Sequence, residues 1–232
     1  MAMDLGLNIA ASGMVAEQTR QGQLANDLAN ASTPGYKPDG SPQHNFGEVL
    51  LANTQGGNSV GAVDAGVSLG KTYTDLTPAS IQETGEPLDF ALEGKGFFAV
   101  QTAQGVRYTR NGQFTDSATG VLTDMNGNPV LSQSGTQIKV PASGTLSAGA
   151  VGAFELTGAE KQGENLFTGS QAGKAAGAVR QGALEASGVD AAKVMIEMIT
   201  SLRSFQSGQQ AIQAIGQTLQ SASTQVGSMN GG

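Results

Sequence analysis

The chain has no cysteine and no tryptophan among its 232 residues, and it is poor in aromatic and charged side chains. The absence of cysteine excludes disulfides and thiolate metal sites. Aromatic residues make up 5% and hydrophobic residues 38% of the sequence, which allows one modest core with extended elements rather than two large domains. No run approaches the roughly 20 apolar residues that a membrane-spanning helix needs.

The net charge of -7 argues against nucleic acid and against an anionic membrane surface as partners. The start of the chain, Met1 to Ala11, has neither a basic segment nor a long apolar segment, so we expect no cleavable secretory signal there. Glycine is abundant at 34 residues and has no strict triplet period, which is typical of turn-rich β structure.

Both ends of the sequence have helical patterns, with apolar residues about every seven positions between Asp4 and Ala31 and between Val189 and Val226. At the C-terminal end one row contains Ala191, Met198, Phe205, Ile212, Leu219 and Val226, and a companion row contains Met195, Leu202, Gln209, Gly216 and Ser223. Both stripes are narrow, as in a coiled-coil seam. We expect an assembly interface at Leu7, Met14, Leu24, Leu28, Met195, Met198, Leu202, Phe205, Ile212 and Leu219. An ordinary two-helix hairpin packed on its own domain is the alternative.

The cost of ordering favours partners for these helices. Fixing the backbone costs on the order of 1–2 kcal/mol per residue, while each large apolar side chain that is buried returns roughly 1.5–3 kcal/mol. Isolated helices are marginal in water. We therefore expect the termini to need neighbouring chains in order to be fully ordered.

Two prolines and two glycines between Ala31 and Gly40 end the first helical pattern. From there to about Asp75 the sequence is polar and Gly-rich, with a short apolar group at Phe46 and residues 49–51. This composition predicts a long loop or extended arm. Arms of that length are usually functional or disordered until bound, and we expect this one to bind.

Short alternating runs separated by turn residues predict strands in the middle of the chain. The predicted strands are Leu88 to Leu92, Gly96 to Gln101, Val106 to Thr109, Val121 to Asp124, Pro129 to Leu131 and Gln137 to Val140. Between Ser143 and Gly177 the sequence is so rich in Gly and Ala that only one further strand, Gly152 to Leu156, is suggested.

These patterns predict an α+β fold in which N- and C-terminal helices form a coiled-coil-like pair, with an extended arm and a small antiparallel β-rich middle domain. The expected divisions are residues 1–32 for the N-terminal helix, 33–75 for the arm, 76–180 for the β-rich domain and 181–232 for the C-terminal helix.

The candidates for binding or catalysis are weak. His44, the sole histidine, lies in the polar arm with no evident residue to orient it. Asp124 begins a run that resembles a calcium loop, but an EF-hand needs a glutamate where Gly135 stands, so a hairpin turn at Asn126-Gly127 is favoured.

The run Glu93-Gly94-Lys95-Gly96 lacks the spacing and the following Ser or Thr of a phosphate loop. The remaining possibility is a glycosidase pair drawn from the carboxylates Asp89, Glu93, Asp116 and Asp124. With no Trp and three Tyr, the chain has little surface on which a sugar could stack. We therefore expect no enzyme activity, no cofactor, no metal and no small-molecule substrate.

Four stretches carry a resemblance to a known family. The first comprises residues 8–14 and 25–37 and includes Asn26, Leu28, Ala29, Asn30, Thr33, Gly35 and Tyr36. The others comprise residues 88–100, then 108–114 with 122–124 and 127–130, and finally 179–190. In this order they resemble the flagellar rod and hook axial protein family, most closely its distal-rod type basal-body proteins. Gly188 departs from the family pattern, which usually has Asn there.

The resemblance implies a structural subunit of the bacterial flagellar basal-body rod. Such a subunit self-assembles into a helical tubular polymer that transmits torque and encloses the export channel. The implied partners are further copies of the chain, other rod and hook proteins, the surrounding ring proteins and the flagellar type III export apparatus. The implied location is the basal body, beyond the cytoplasmic membrane.

Other functions fit the same features less well. A flagellar hook or hook-associated axial subunit is the nearest alternative. A non-polymerising secreted binding module and a secreted enzyme with helical tails belong to different classes.

Overall fold

The computed structural model describes residues 2–45, 48–52, 59–64, 67–163 and 165–229. The helices are α1 (Ala2–Ala29) and α2 (Ala191–Met229), with a short 3-10 helix at Ala148–Ala150. The first strands are β1 (Asp39–Gly40), β2 (Gln43–Asn45), β3 (Glu48–Ala52), β4 (Ser59–Asp64), β5 (Val67–Leu69), β6 (Tyr73–Thr74), β7 (Ile81–Glu83) and β8 (Phe90–Glu93). The remaining strands are β9 (Phe97–Thr102), β10 (Gly105–Thr109), β11 (Thr115–Asp116), β12 (Leu122–Thr123), β13 (Ala153–Gln162), β14 (Leu166–Lys174), β15 (Ala178–Gln181) and β16 (Ala183–Glu185).

Two terminal helices and a β-rich middle confirm the predicted α+β class. The chain divides into two compact units. Unit 1 comprises Met1–Leu28, Gly40–Tyr73 and Ala192–Gly232, and unit 2 comprises Ala29–Asp39 and Thr74–Ala191. Among the described residues, neither helix combines the length and the apolar character that crossing a membrane requires.

In unit 1 the two helices lie side by side and run in opposite directions. Residues early in α1 meet residues late in α2, and the facing pairs are Gly6 with Ile215, Met14 with Gly208, Glu17 with Ser201, and Arg20 with Glu197. The Ser201 hydroxyl donates to the Glu17 carboxylate at 2.6 Å, and Ser201 is buried. A Cβ added to Gly208 would lie 3.0 Å from Cγ of Met14, so the helices approach closely at that glycine.

The polar arm contains strand pairs that the sequence pattern did not predict. β2 pairs with β5 and β3 pairs with β4, both antiparallel, and β1 pairs with β6 at the base of the arm. The backbone supplies the pairing, since each strand donates and accepts along its partner. Phe46, part of the short apolar group in the arm, lies outside the described residues.

In unit 2 the strands β10, β14, β13 and β9 close into a small barrel in that order. Three further antiparallel pairs accompany it, β8 with β15, β7 with β16, and β11 with β12. The predicted runs at 129–131 and 137–140 form isolated bridges, Val100 with Val130 and Leu131 with Gln137, rather than full strands.

Strand β9 divides the core of unit 2 into two clusters because successive side chains of a strand point to opposite faces. Phe98 and Val100 belong to one cluster, and Phe97 and Ala99 belong to the other. Ring contacts join each cluster across strands, for example Phe97 with Phe167 at 5.1 Å between centroids. Both faces of β9 are therefore buried, which agrees with its almost continuous apolar sequence.

Candidate functional site

A buried carboxylate, that of Glu185 in β16, lies at the centre of an ionic cluster in unit 2. It is 1% exposed and accepts hydrogen bonds from Nζ of Lys37 at 2.7 Å and from a guanidinium nitrogen of Arg110 at 3.0 Å. The backbone N–H of Ala79 donates to the same carboxylate at 2.8 Å. A buried charge needs such partners, since leaving it unpaired costs several kcal/mol. We call Lys37, Arg110 and Glu185 the buried trio.

The two cations of the trio have further acceptors. Lys37 donates to the carbonyl of Thr77 at 2.6 Å, and Arg110 donates to the carbonyl of Gly94 at 2.6 Å. The Arg110 guanidinium also lies 5.4 Å from the centroid of the Phe97 ring. Burial lowers the pKa of Arg110, and the neighbouring Glu185 carboxylate opposes that shift. Backbone carbonyls therefore compensate the excess positive charge of two cations beside one carboxylate.

Backbone contacts fix the segment that precedes Lys37. The N–H of Gly35 donates to the carbonyl of Glu185 at 2.8 Å. Gly35 has a φ of 66°, and a Cβ there would overlap the backbone of Arg110, so only glycine fits. The adjacent Tyr36 is fully buried, and Nζ of Lys161 lies 4.1 Å from its ring centroid.

A second set of contacts joins the end of the first motif to the end of the fourth. The Ser187 hydroxyl donates to the carbonyl of Asn30 at 3.0 Å, and the N–H of Gly188 donates to the carbonyl of Tyr36 at 2.9 Å. A Cβ at Gly188 would lie 3.0 Å from Cδ of Pro38. Glycine, which replaces the usual Asn of the family pattern here, allows this close approach.

All four motif stretches thus meet at the buried trio. The first supplies Lys37, the second supplies the carbonyl of Gly94 and the ring of Phe97, the third supplies Arg110 and the fourth supplies Glu185. The sequence contains the motifs, but it gave no indication that their charged residues pair with each other. Of the predicted motif residues, Asn26 and Leu28 belong to unit 1, whereas Ala29, Asn30, Thr33, Gly35 and Tyr36 belong to unit 2.

The ten predicted interface residues differ in exposure within the single chain. The exposed ones are Leu7 at 38%, Met195 at 48%, Leu202 at 46% and Leu219 at 43%. Leu24 is buried, and the half-buried ones are Met14, Leu28, Met198, Phe205 and Ile212. The two rows predicted on α2 therefore differ: Met198, Phe205 and Ile212 are partly covered, whereas Met195 and Leu202 are open to solvent. Their role in assembly stays a prediction.

The run at Asp124 forms a turn in which the aspartate carboxylate accepts hydrogen bonds from its own segment. The Asp124 carboxylate accepts from the backbone N–H groups of Asn126 and Asn128 and from the side-chain amide of Asn128. Gly127 has a φ of 82°, as the turn requires. Within the part of the chain that the structure describes, no group of His, Asp and Glu residues is arranged to hold a metal ion.

Comparisons with known proteins cover most of the chain. Residues 7–37 match the family model described as flagella basal body rod protein, residues 91–157 match the flagellar hook protein FlgE/F/G D1 domain, and residues 180–225 match the flagellar basal body rod FlgEFG protein C-terminal model. The flagellar hook-basal body complex protein FlhO of Bacillus subtilis is 30% identical over 96% of this chain and 98% of its own length. The flagellar basal-body rod protein FlgF of Escherichia coli K12 is 33% identical over 92% of this chain and 94% of its own length. The flagellar basal-body rod protein FlgG of Bacillus subtilis is 30% identical over 90% of this chain and 94% of its own length. The chain therefore belongs to the family of flagellar basal-body rod proteins.

Proposed function

We propose that this chain is a structural subunit of the flagellar basal-body rod. Its copies assemble into a helical tube that transmits torque and encloses the export channel. The observation that carries the proposal is the order of the family matches, which include parts of both terminal helices and the β-rich middle between them. The three residues of the buried trio lie within those matches, Lys37 in the first, Arg110 in the second and Glu185 in the third.

Exposed apolar side chains on the helices support assembly through the termini. Soluble monomers rarely expose contiguous apolar surface unless it binds something. The helices expose Leu7, Val15, Met195, Ile196, Ile199, Leu202 and Leu219, all at 38% or more. The terminal helices act as a coiled-coil-like pair in this proposal, and the arm between residues 33 and 75 braces neighbouring subunits.

The proposal includes the partners and the location that the family implies. Further copies, other rod and hook proteins and the ring proteins around the rod are the partners within the basal body, and the type III export apparatus delivers the chain beyond the cytoplasmic membrane. A hook or hook-associated subunit shares this architecture and is the second candidate.

Electron microscopy of concentrated protein tests the polymer directly. We expect tubes or filaments from the wild-type chain and none from Phe205→Asp, because a charge at this half-buried position, on the side of α2 that meets α1, costs several kcal/mol and disrupts the helix pair through which the subunits assemble. Met125→Asp is the control, since Met125 is 61% exposed and belongs to unit 2, whereas Phe205 belongs to unit 1. The same variants in a motile cell that depends on this subunit should give loss of motility and normal motility, respectively.

Two results would contradict the proposal. Wild-type protein that stays monomeric at every concentration, and that does not restore motility, would favour a non-polymerising binding module. Assembly of Phe205→Asp at the wild-type level would show that assembly does not depend on the helix pair at this position.

A further inference from the structure

Helix α2 carries two seams with the spacing of a coiled coil. The first seam is the side that meets α1, and it contains the buried and half-buried residues Val194, Met198, Ser201, Phe205, Gly208, Ile212 and Ile215. The second seam follows the same alternation of four and three residues and contains Met195, Ile199, Leu202, Gln206, Gln209, Gln213, Gly216 and Gln220. Because each residue advances the helix by about 100°, the second seam lies roughly 100° round the helix from the first.

Every member of the second seam is exposed in the single chain. Its N-terminal half is apolar, with Met195 at 48%, Ile199 at 52% and Leu202 at 46% exposed. Its C-terminal half is made of glutamines and one glycine. Since α1 already covers the first seam, this face has no partner among the described residues of its own chain, although its spacing is that of a helix contact.

The lack of charge around the C-terminal half of the second seam, Gln206 to Gln220, favours a second copy of this chain as the occupant. Identical chains with a net charge of -7 repel each other, so copies meet best where no charge lies. From Ser204 to Gly232 the sequence contains no charged residue and no histidine, although 13% of the whole chain is charged. Interface centres are depleted of charge in the same way.

The glutamines of the second seam suit contact between identical surfaces. An amide side chain both donates and accepts, so Gln206, Gln209 and Gln213 can bond with the same residues of another copy. Polar residues at seam positions also specify register at some cost in stability. The apolar half can therefore anchor the contact while the amide half sets how far one helix is shifted along the other.

Gly216 is consistent with a close approach from outside the chain. A Cβ at this position would meet no atom within 4 Å, so no neighbour in the chain requires glycine there. Glycine inside a helix is less favourable than alanine. The position lies in the second seam, where the backbone of a partner helix would pass nearest.

We infer that the second seam of α2 packs against a helix of a second copy of this chain, in a left-handed coiled-coil contact. The inference rests on the proposed function, because this contact is one of those that build the polymer. It separates an interface within the subunit, formed by the first seam, from an interface between subunits.

Adjacent positions on α2 give matched variants. Ile199→Asp and Gln213→Glu place a charge in the second seam, whereas Thr200→Asp and Ala214→Glu place the same charge one residue further on, about 100° round the helix and outside both seams. All four positions are exposed. We expect all four monomers to keep the wild-type helix content and melting curve. The two seam variants should need at least a tenfold higher protein concentration to assemble, and the two controls should assemble like the wild type.

Thiol labelling supplies an independent readout, because the chain has no cysteine of its own. In Ile199→Cys and Thr200→Cys the introduced thiol should be labelled equally fast in the monomer. On assembly, labelling at position 199 should slow at least tenfold while position 200 stays reactive. If the wild type assembles but both positions are labelled equally, or if the seam variants assemble as readily as their controls, the second seam is not an interface between subunits. Either result would leave the proposed rod function intact. Wild-type chains that never assemble would overturn both.

Discussion

Removing the charge of Glu185 is the sharpest test of the buried trio. Glu185→Gln keeps the size of the side chain but leaves Lys37 and Arg110, which are 1% and 3% exposed, without their carboxylate. Breaking a buried ion pair on one side costs about 3–5 kcal/mol, because the remaining charge is uncompensated. Native domains are stable by only about 5–15 kcal/mol, so the loss is a large fraction of the total.

Glu83→Gln is the matched control. Glu83 lies in β7, the strand paired with β16, and forms an ion pair with Arg180, but its side chain is 75% exposed. Exposed pairs of this kind contribute about 0–1 kcal/mol. The two variants therefore remove the same charge from neighbouring strands and differ in burial.

Tyrosine signals make the assay specific for unit 2. The chain has three tyrosines and no tryptophan; Tyr36 and Tyr108 are buried in unit 2, whereas Tyr73 in unit 1 is 59% exposed. Near-ultraviolet circular dichroism during urea unfolding thus follows unit 2. We expect a lower free energy of unfolding by about 3–5 kcal/mol for Glu185→Gln, and a melting temperature lower by about 10 °C or more.

A triple variant with Lys37→Met, Arg110→Met and Glu185→Leu should be more stable than Glu185→Gln, because no buried charge is left unpaired. If instead Glu185→Gln and Glu83→Gln unfold within about 1 kcal/mol of each other, the trio does not stabilise unit 2 in the way described.

Two further predictions concern the arm and acid stability. Deleting residues 43–64 should leave the thermal transition of unit 2 unchanged while weakening assembly, as measured by calorimetry and sedimentation; loss of that transition would make the arm part of the core. The pKa of Asp75 lies below its ordinary value of 3.8, chiefly because the hydroxyl and N–H of Thr77 donate to its carboxylate and because Lys37 is near. Its contribution to stability is therefore present at neutral pH and is lost as the pH falls below about 3.8. Between pH 5 and pH 2 the melting temperature should fall less steeply for Asp75→Asn than for the wild type, and Thr77→Val should show part of this effect.

Local sequence patterns were enough to predict both helices and several of the strands. The seven-residue apolar repeat predicts both helices, and the alternating runs predict β8, β9, β10 and β12. The first half of β13 lies in the run from Gly152, but β14 was not predicted, because Leu166–Lys174 is mostly exposed and lacks an apolar alternation. Its pairing with β13 depends on backbone hydrogen bonds that no composition reveals.

Two Asn-Gly dipeptides in the sequence have different structural roles. Asn126-Gly127 forms a turn with a positive φ at the glycine, as its sequence suggests. Asn111-Gly112 does not: a Cβ at Gly112 would overlap the carbonyl oxygen of Phe90, so the glycine is needed for close approach between segments. Contacts between segments, including the buried trio, depend on which stretches the topology brings together.

The separation of the trio along the chain sets the order in which unit 2 can fold. Lys37 and Glu185 are 148 residues apart, and Arg110 and Glu185 are 75 apart. Strand β9 can pair with β10 as soon as both are made, since only a tight turn joins them. The ion pairs of Lys37 and Arg110 cannot form until Glu185 has been synthesised, which is after about four-fifths of the sequence. Such distant contacts close large loops and slow the search for the native state. A chain that emerges N-terminus first from the ribosome therefore carries Lys37 without its carboxylate over 148 residues of synthesis and Arg110 over 75 of the 232. A nascent chain that stops before residue 185 cannot complete the native packing of unit 2.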